Sequence, residues 1–202
     1  KKMSIKIALT GKAGVGKDTF ADYLVKNHGF VKIAFADPLK DTVKNLFDFT
    51  HEQLYGDLKE VVDEKWNVSP REVLQKFGTD IVREQFSKIF PQLCLEKDSF
   101  WIHRLGHTLD KIESDRIIVT DARFDNEIEF LRERGFGILK ITRDTNEITT
   151  ASLHASENGV TRENYNHIIN NNGGIDKLYK EADMIVMVYK MFKDMDEDET
   201  KI

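Results

Sequence analysis

A glycine-rich turn, set between an apolar run and a helical pattern, restricts this chain more than any other feature. Residues 5–9 read Ile-Lys-Ile-Ala-Leu, with the length and β-branching of a buried strand. Gly11-x-x-x-x-Gly16-Lys17 follows, and then Phe20, Leu24 and Val25 fall on one helical face. Gly11, Gly14 and Gly16 permit positive φ, which lets successive backbone N–H groups turn inward. The helix after Gly16 adds its N-terminal donors and the positive end of its dipole. Lys17 supplies a mobile positive charge for β- and γ-phosphates. The stretch therefore reads as a phosphate-binding loop. The residue after the lysine, usually Ser or Thr, is Asp18, and Thr19 comes next. A carboxylate suits hydrated Mg2+ better than it suits phosphate, so Asp18 is expected to act on the metal through water. Thr19 is expected to hydrogen-bond a phosphate oxygen. The alternative is a chance glycine turn in which Asp18 and Thr19 only start a helix.

The bulk properties narrow the surroundings. A length of 202 residues suits one domain, or one with an inserted helical lobe. No apolar run approaches the ~20 residues a membrane helix needs, and Lys1-Lys2-Met3 leads into the strand rather than a leader. The single cysteine, Cys94, excludes an intramolecular disulfide and a cysteine-built zinc site, and reads as a packing or surface thiol in a reducing cytoplasm. A net charge of −5 argues against a partner bound through its nucleic-acid backbone. It leaves room for local basic pockets that take small phosphorylated ligands.

Residues 30–36 read as a second strand, with Val31, Ile33 and Phe35 alternating. Asp37 and Pro38 then suit the start of a helix. Lys40 falls in its first turn, where it could face a substrate phosphate or solvent. Residues 41–112 carry helical periodicity and little strand signal, so they read as a lobe inserted between the second and third core strands. Within it Ser69 has N-cap form, with Pro70 at N1 and Glu72 at N3. Gly78 suits a C-terminal stop, with a new helix from Thr79 or Asp80. Arg71 and Gln75 are i, i+4 on one face; they could read a phosphate and a base edge, or be an exposed face. Trp101 is either core packing or a flat wall for a nucleobase. His103 and His107 share i, i+4 spacing, but no zinc motif accompanies them.

Residues 116–121 form an apolar strand ending in Asp121, the pattern of an acid that orients hydrated Mg2+ beside a phosphate loop. Arg123 sits just beyond, where its fork could clamp transferring phosphates or pair with Asp125 or Glu127. Residues 137–142 read as another strand, followed by Arg143. Residues 144–165 are polar, include Asn146, Thr149, Thr150, His154, Ser156, Glu157 and Asn158, and look like a flap that shields phosphates from water. A last strand is expected at 166–172 and a helix at 175–193, with a strand at 184–188 as the alternative. The acidic tail from 194 to 200 reads as frayed.

In order along the chain, Gly-Lys-Asp-Thr at 16–19, Ala-Asp-Pro-Leu-Lys-Asp at 36–41, Ser-Pro-Arg-Glu-Val-Leu-Gln-Lys-Phe-Gly-Thr-Asp at 69–80, Asp-Ala-Arg-Phe-Asp-Asn-Glu at 121–127 and His-Ala-Ser-Glu at 154–157 resemble the phage-type deoxynucleoside monophosphate kinases. The resemblance spans nearly the whole chain. It implies an α/β, three-layer P-loop fold: a parallel sheet flanked by helices, with core 3–40 and 115–193, a helical monophosphate-binding insertion at about 41–112, and a lid at about 143–165. It implies ATP- and Mg2+-dependent phosphorylation of deoxynucleoside monophosphates by a cytoplasmic enzyme, with a homodimer plausible and no nucleic-acid or membrane partner. Carried over, Gly14, Val15, Gly16, Lys17, Asp18 and Thr19 hold ATP. Lys40, Arg71, Gln75, Thr79 and Trp101 line the monophosphate site. Asp121, Arg123 and Glu127 lie at the junction of the two nucleotides. Lys17, Asp121, Arg123 and Arg143 are the expected catalytic set, and Arg143, His154 and Glu157 belong to the lid. The chain departs from the family in having no basic residue at Ala13 or Gly14. The rival readings are another P-loop metabolite kinase, of the dephospho-coenzyme A or phosphomevalonate type, and a nucleotide-binding regulator without turnover.

Overall fold

The computed structural model describes residues 4–93, 95–96, 98–144 and 165–199, with side chains through Met191. Residues 145–164 of the lid expected at about 143–165, among them His154 and Glu157, lie outside the described residues, as does Cys94. The chain divides into two compact units, one of Lys1–Ile33 with Glu113–Ile202 and one of Ala34–Ile112.

The first unit is built on a parallel five-stranded sheet in the order β2-β3-β1-β4-β5. The strands are β1 (Ile5–Thr10), β2 (Val31–Ile33), β3 (Arg116–Val119), β4 (Gly137–Thr142) and β5 (His167–Asn170). The central strand β1 pairs with β3 and β4, and Ile7, Ala8 and Leu9 on it are fully buried. A strand covered on both faces needs a continuous apolar run, which Ile7, Ala8 and Leu9 supply. Helix α1 (Lys17–His28) leads from β1 to β2, and α7 (Asp125–Glu133) leads from β3 to β4. These crossovers move in opposite directions along the sheet, and the right-handed rule places their helices on opposite faces. The burial pattern agrees. Phe20, Ala21 and Leu24 of α1 share one cluster with Ile5, Ile7, Leu9, Leu139 and Ile141, while Ile128 and Leu131 of α7 are buried outside it. Helix α1 ends on Gly29, whose φ of 67° makes a left-handed cap.

The last helix, α8, runs Ile175–Glu199. This settles the 184–188 run as helical, and the helix continues through most of the acidic stretch expected to fray. Leu178, Ala182, Ile185 and Val186 join the α1 cluster. Burial on a 3.6-residue period therefore overrides the β-branching of that run. A polar tie adds to this packing: the Asp183 carboxylate accepts from Tyr23 Oη at 2.9 Å and meets His28 Nε2 at 2.7 Å, and Tyr23 stacks on Tyr179. The His28 bond leads in holding the Asp183 carboxyl below its ordinary range, with the Tyr23 bond adding to it. A lowered folded-state carboxyl gives stability that is present above the unfolded value of about 4 and is lost as pH falls below it. Urea midpoints at pH 7 and pH 3 should therefore differ less in Asp183→Asn than in the parent. The difference should stay under about 1 kcal/mol, because the Asp183 side chain is 51% exposed. Equal acid sensitivity in both proteins would reject the tie.

The second unit is helical. It holds α2 (Asp37–Phe47), α3 (His51–Tyr55), α4 (Pro70–Gln75), α5 (Glu84–Ile89) and α6 (Phe100–Leu109). Thr50 and Gln53 form a capping box at α3, and the Ser69 hydroxyl accepts from Glu72 N at 3.2 Å at α4. Two expectations need correction. Asp37 does not cap α2 as an N-cap residue; its carboxylate turns back to accept from Ala34 N at 2.7 Å. Gly78 does not stop a helix either. α4 passes into a π-helical stretch, Lys76–Arg83, and then into α5 without a break. The glycine serves close approach: a Cβ there would sit 2.5 Å from Leu39 Cδ2.

Candidate active site

The donor half of the candidate site lies wholly in the first unit, at the carboxyl ends of β1 and β3. Here the strand order turns back, and open parallel sheets collect ligands at such a crevice. Gly11, Gly14 and Gly16 adopt φ of 137°, 76° and 105°, so all three glycines use the freedom the loop requires. Val15 is buried and roots the loop. Lys17 Nζ donates to the Gly11 and Lys12 carbonyls, each at 2.7 Å, which folds the ammonium across residues 11–16. α1 starts at Lys17 with Gly16 as N-cap, a residue that has no side chain to cap the helix amides. Backbone donors, a helix N-terminus and a lysine thus meet within one short segment, the arrangement an anionic phosphate chain needs.

Asp18 sits on the first turn of α1 with its side chain 80% exposed, and its carboxylate meets Lys32 Nζ at 2.9 Å. Lys32 also bridges Asp22, one helical turn on. Burial pulls the Lys32 ammonium down, but its bonds to the two aspartates outweigh this and hold it above its ordinary value. Asp121 follows β3, whose end is tied to β1 by Ala122 N donating to Leu9 O at 3.2 Å. Among the described residues no group of three or more His, Cys, Asp or Glu is arranged to hold a metal ion. One or two separate carboxylates are the donor set hydrated Mg2+ uses when phosphates supply its other ligands, so Asp18 and Asp121 fit that ion.

Arg123 lies in the turn before α7, and Glu127 builds that turn. One Glu127 oxygen accepts from Arg123 N at 2.9 Å and from Phe124 N at 3.2 Å, and the residue is only 2% exposed. Arg143 follows β4, and its Nε donates to Asn171 O at 3.1 Å.

Of the residues expected to bind the acceptor, Lys40, Arg71, Gln75, Thr79 and Trp101 lie in the second unit, and Asp121, Arg123 and Glu127 in the first. Lys40 Nζ stands 4.0 Å over the Tyr55 ring. Arg71 on α4 is ion-paired with Glu60. One turn on, Gln75 has a buried Nε2 with no hydrogen-bond partner. Buried amide donors are rarely left this way, so this one is a candidate for a ligand acceptor. Thr79 is buried in the π-helical stretch. Trp101 is 8% exposed and its Nε1 donates to Gly78 O at 2.8 Å. Its indole thereby ties α6 to the π-helical stretch. π-Helical turns often mark functional positions because they displace side chains from α-helical register.

The family model for deoxynucleotide monophosphate kinase matches residues 44–182. The chain belongs to the deoxynucleotide monophosphate kinase family. A candidate deoxynucleotide monophosphate kinase of Acanthamoeba polyphaga mimivirus is 36% identical over 184 residues, covering 88% of this chain and 93% of its own. The deoxynucleoside-5'-monophosphate kinase of Escherichia phage T5 is 29% identical over 121 residues, 57% of this chain and 44% of the phage protein. A gluconokinase structure from Sinorhizobium meliloti superposes with a TM-score of 0.50 at 13% identity, covering 96% of this chain and 99% of that one, which shows a shared fold.

The chain is thus a kinase with a nucleotide-binding P-loop. Three parts of its structure escaped the sequence reading. Lys32, read only as part of a strand, holds Asp18. Arg83 is buried in the π-helical stretch and donates to Asp98 O at 3.3 Å. Asn171, one of three consecutive asparagines, is 3% exposed, and its Nδ2 donates to Val15 O at 2.8 Å. The first two look like ordinary surface charges in the sequence. The asparagine run 170–172 was a visible signal, but only as a strand end.

Proposed function

We propose that this kinase transfers the γ-phosphoryl group of ATP to the phosphate of a deoxynucleoside monophosphate, giving the diphosphate and ADP. The observation that carries the reading is the glycine loop at the end of β1, with Lys17 Nζ spanning the Gly11 and Lys12 carbonyls, on the same unit as Asp121 and Arg123. An acceptor phosphate oxygen forms the new bond to the γ-phosphorus while the bond to the β,γ-bridging oxygen breaks, in line. That acceptor is already anionic, so no general base is needed, and no serine or cysteine is asked to form an intermediate. The loop amides and Lys17 hold the donor phosphates; Arg123 and Arg143 offset charge as it spreads over the moving group. Bound at Asp18 and Asp121, Mg2+ would supply charge neutralisation on the phosphates. Glu127 acts one step back, by fixing the Arg123 turn. Lys40 and Arg71 take the acceptor phosphate, and Gln75 offers its buried amide to the base. The homodimer and the cytoplasmic setting implied by the resemblance belong to the same proposal.

The test is an ADP-release assay with ATP and, separately, each common deoxynucleoside monophosphate, dephospho-coenzyme A and phosphomevalonate. Turnover confined to the deoxynucleotides supports the reading; turnover only with another acceptor, or none despite ATP binding, rejects it. Arg71→Ala should raise the monophosphate KM about 10–100-fold, the worth of one charge-assisted hydrogen bond, and leave the ATP KM within about twofold. Equal rises in both would remove Arg71 from the acceptor site.

A further inference from the structure

Asn171 joins two parts of the donor site that lie far apart in sequence. Its Nδ2 donates to the Val15 carbonyl at 2.8 Å. Its main-chain carbonyl accepts from Arg143 Nε at 3.1 Å, and its amide donates to Thr142 O at 2.8 Å. The contact on the loop is tight, since a Cβ on Gly16 would lie 2.5 Å from Asn171 Nδ2. The side-chain oxygen is buried with no hydrogen-bond partner. A buried amide that satisfies only its nitrogen is unfavourable in a scaffold position, so the bond to Val15 is what the residue is there to make.

The consequence follows from peptide geometry. Val15 C=O and Gly16 N–H belong to one planar trans unit, so they point in opposite directions. Pinning the carbonyl against Asn171 turns the Gly16 amide away from that contact. The same residue restrains the Arg143 guanidinium through its own carbonyl. We propose that Asn171 is a positioning residue for phosphoryl transfer, its side chain aiming the Gly16 amide at the triphosphate.

This rests on the kinase reading above, so the parent is assayed first. A parent that forms no ADP with any deoxynucleoside monophosphate fails that reading, while ATP·Mg2+ calorimetry still tests the effect of Asn171 on the loop. Asn171→Ala removes the donor. Asn171→Asp keeps the shape but sets a carboxylate against the Val15 carbonyl. In the variants that fold, the ATP KM and Kd should rise about tenfold and kcat should fall about tenfold, with the monophosphate KM within twofold. Both substitutions keep the main-chain carbonyl that Arg143 Nε meets, so they report on the Val15 bond alone. Parent-like ATP affinity or equal rises in both KM values overturn the proposal. So does failure of both variants to fold, which would make Asn171 a scaffold residue.

Discussion

Lys17→Ala should lose about 10³-fold in kcat, equivalent to about 4 kcal/mol of transition-state stabilisation, while melting within a few degrees of the parent. The ammonium sits on two loop carbonyls, Gly11 O and Lys12 O, which water can reach and solvate once it is gone. Little packing is lost, so the fold should stand. What disappears is a positive charge held close to the phosphates, where few other cations can replace it. Arg123→Ala is the informative comparison. Its turn is held by Glu127 through main-chain amides, so truncating the side chain leaves that turn intact. The Arg123 variant should lose turnover by orders of magnitude with a smaller loss of ATP affinity than the lysine variant shows. Calorimetry with ATP and Mg2+, alongside steady-state kinetics, separates the two roles. Full activity in both variants would dismantle the site.

Gly11→Ala should destabilise the protein by about 3–5 kcal/mol, lowering the melting midpoint by roughly 10 °C for a chain of this size, and should abolish ATP binding. Gly11 holds φ at +137°, and an added Cβ would collide with the main-chain carbonyl of Ile141. That carbonyl belongs to β4, which is locked between β1 and β5, so neither partner can withdraw. Gly14 provides the control. It also has positive φ, 76°, but nothing lies within 4 Å of the point a Cβ would occupy there. Gly14→Ala should therefore cost only about 1–2 kcal/mol, from backbone strain alone. Matching melting curves for the two variants would show that the Ile141 contact does not decide the loop.

The legible parts of this kinase are those written in contiguous residues. The strand, loop and helix of residues 5–28 declare themselves because a parallel core strand, three glycines and an amphipathic face each have their own short pattern. Asp121 was readable as the acid at the end of an apolar strand, and the Ser69 cap as a local exchange of hydrogen bonds. The strand ends were less exact: β2 keeps only Val31–Ile33 of the expected 30–36, since Ala34 N turns instead to the Asp37 carboxylate.

Tertiary structure decided whatever depended on distant partners. Gly78 carries the sequence signature of a helix stop, yet Leu39 and the Trp101 indole hold it inside a continuous helical run. Residues 184–188 suit a strand by composition, but burial of Ile185 and Val186 in the α1 cluster makes them helix. Asp18 was readable as a carboxylate beside a phosphate loop, whereas its ion pair with Lys32 was not. Asn171 reaches the loop across 156 positions of chain, and no local pattern encodes such a bond. Short-range propensity shaped the phosphate loop itself; the supports that hold it in its working shape arose only when the sheet brought β5 beside β4 and the final helix beside α1.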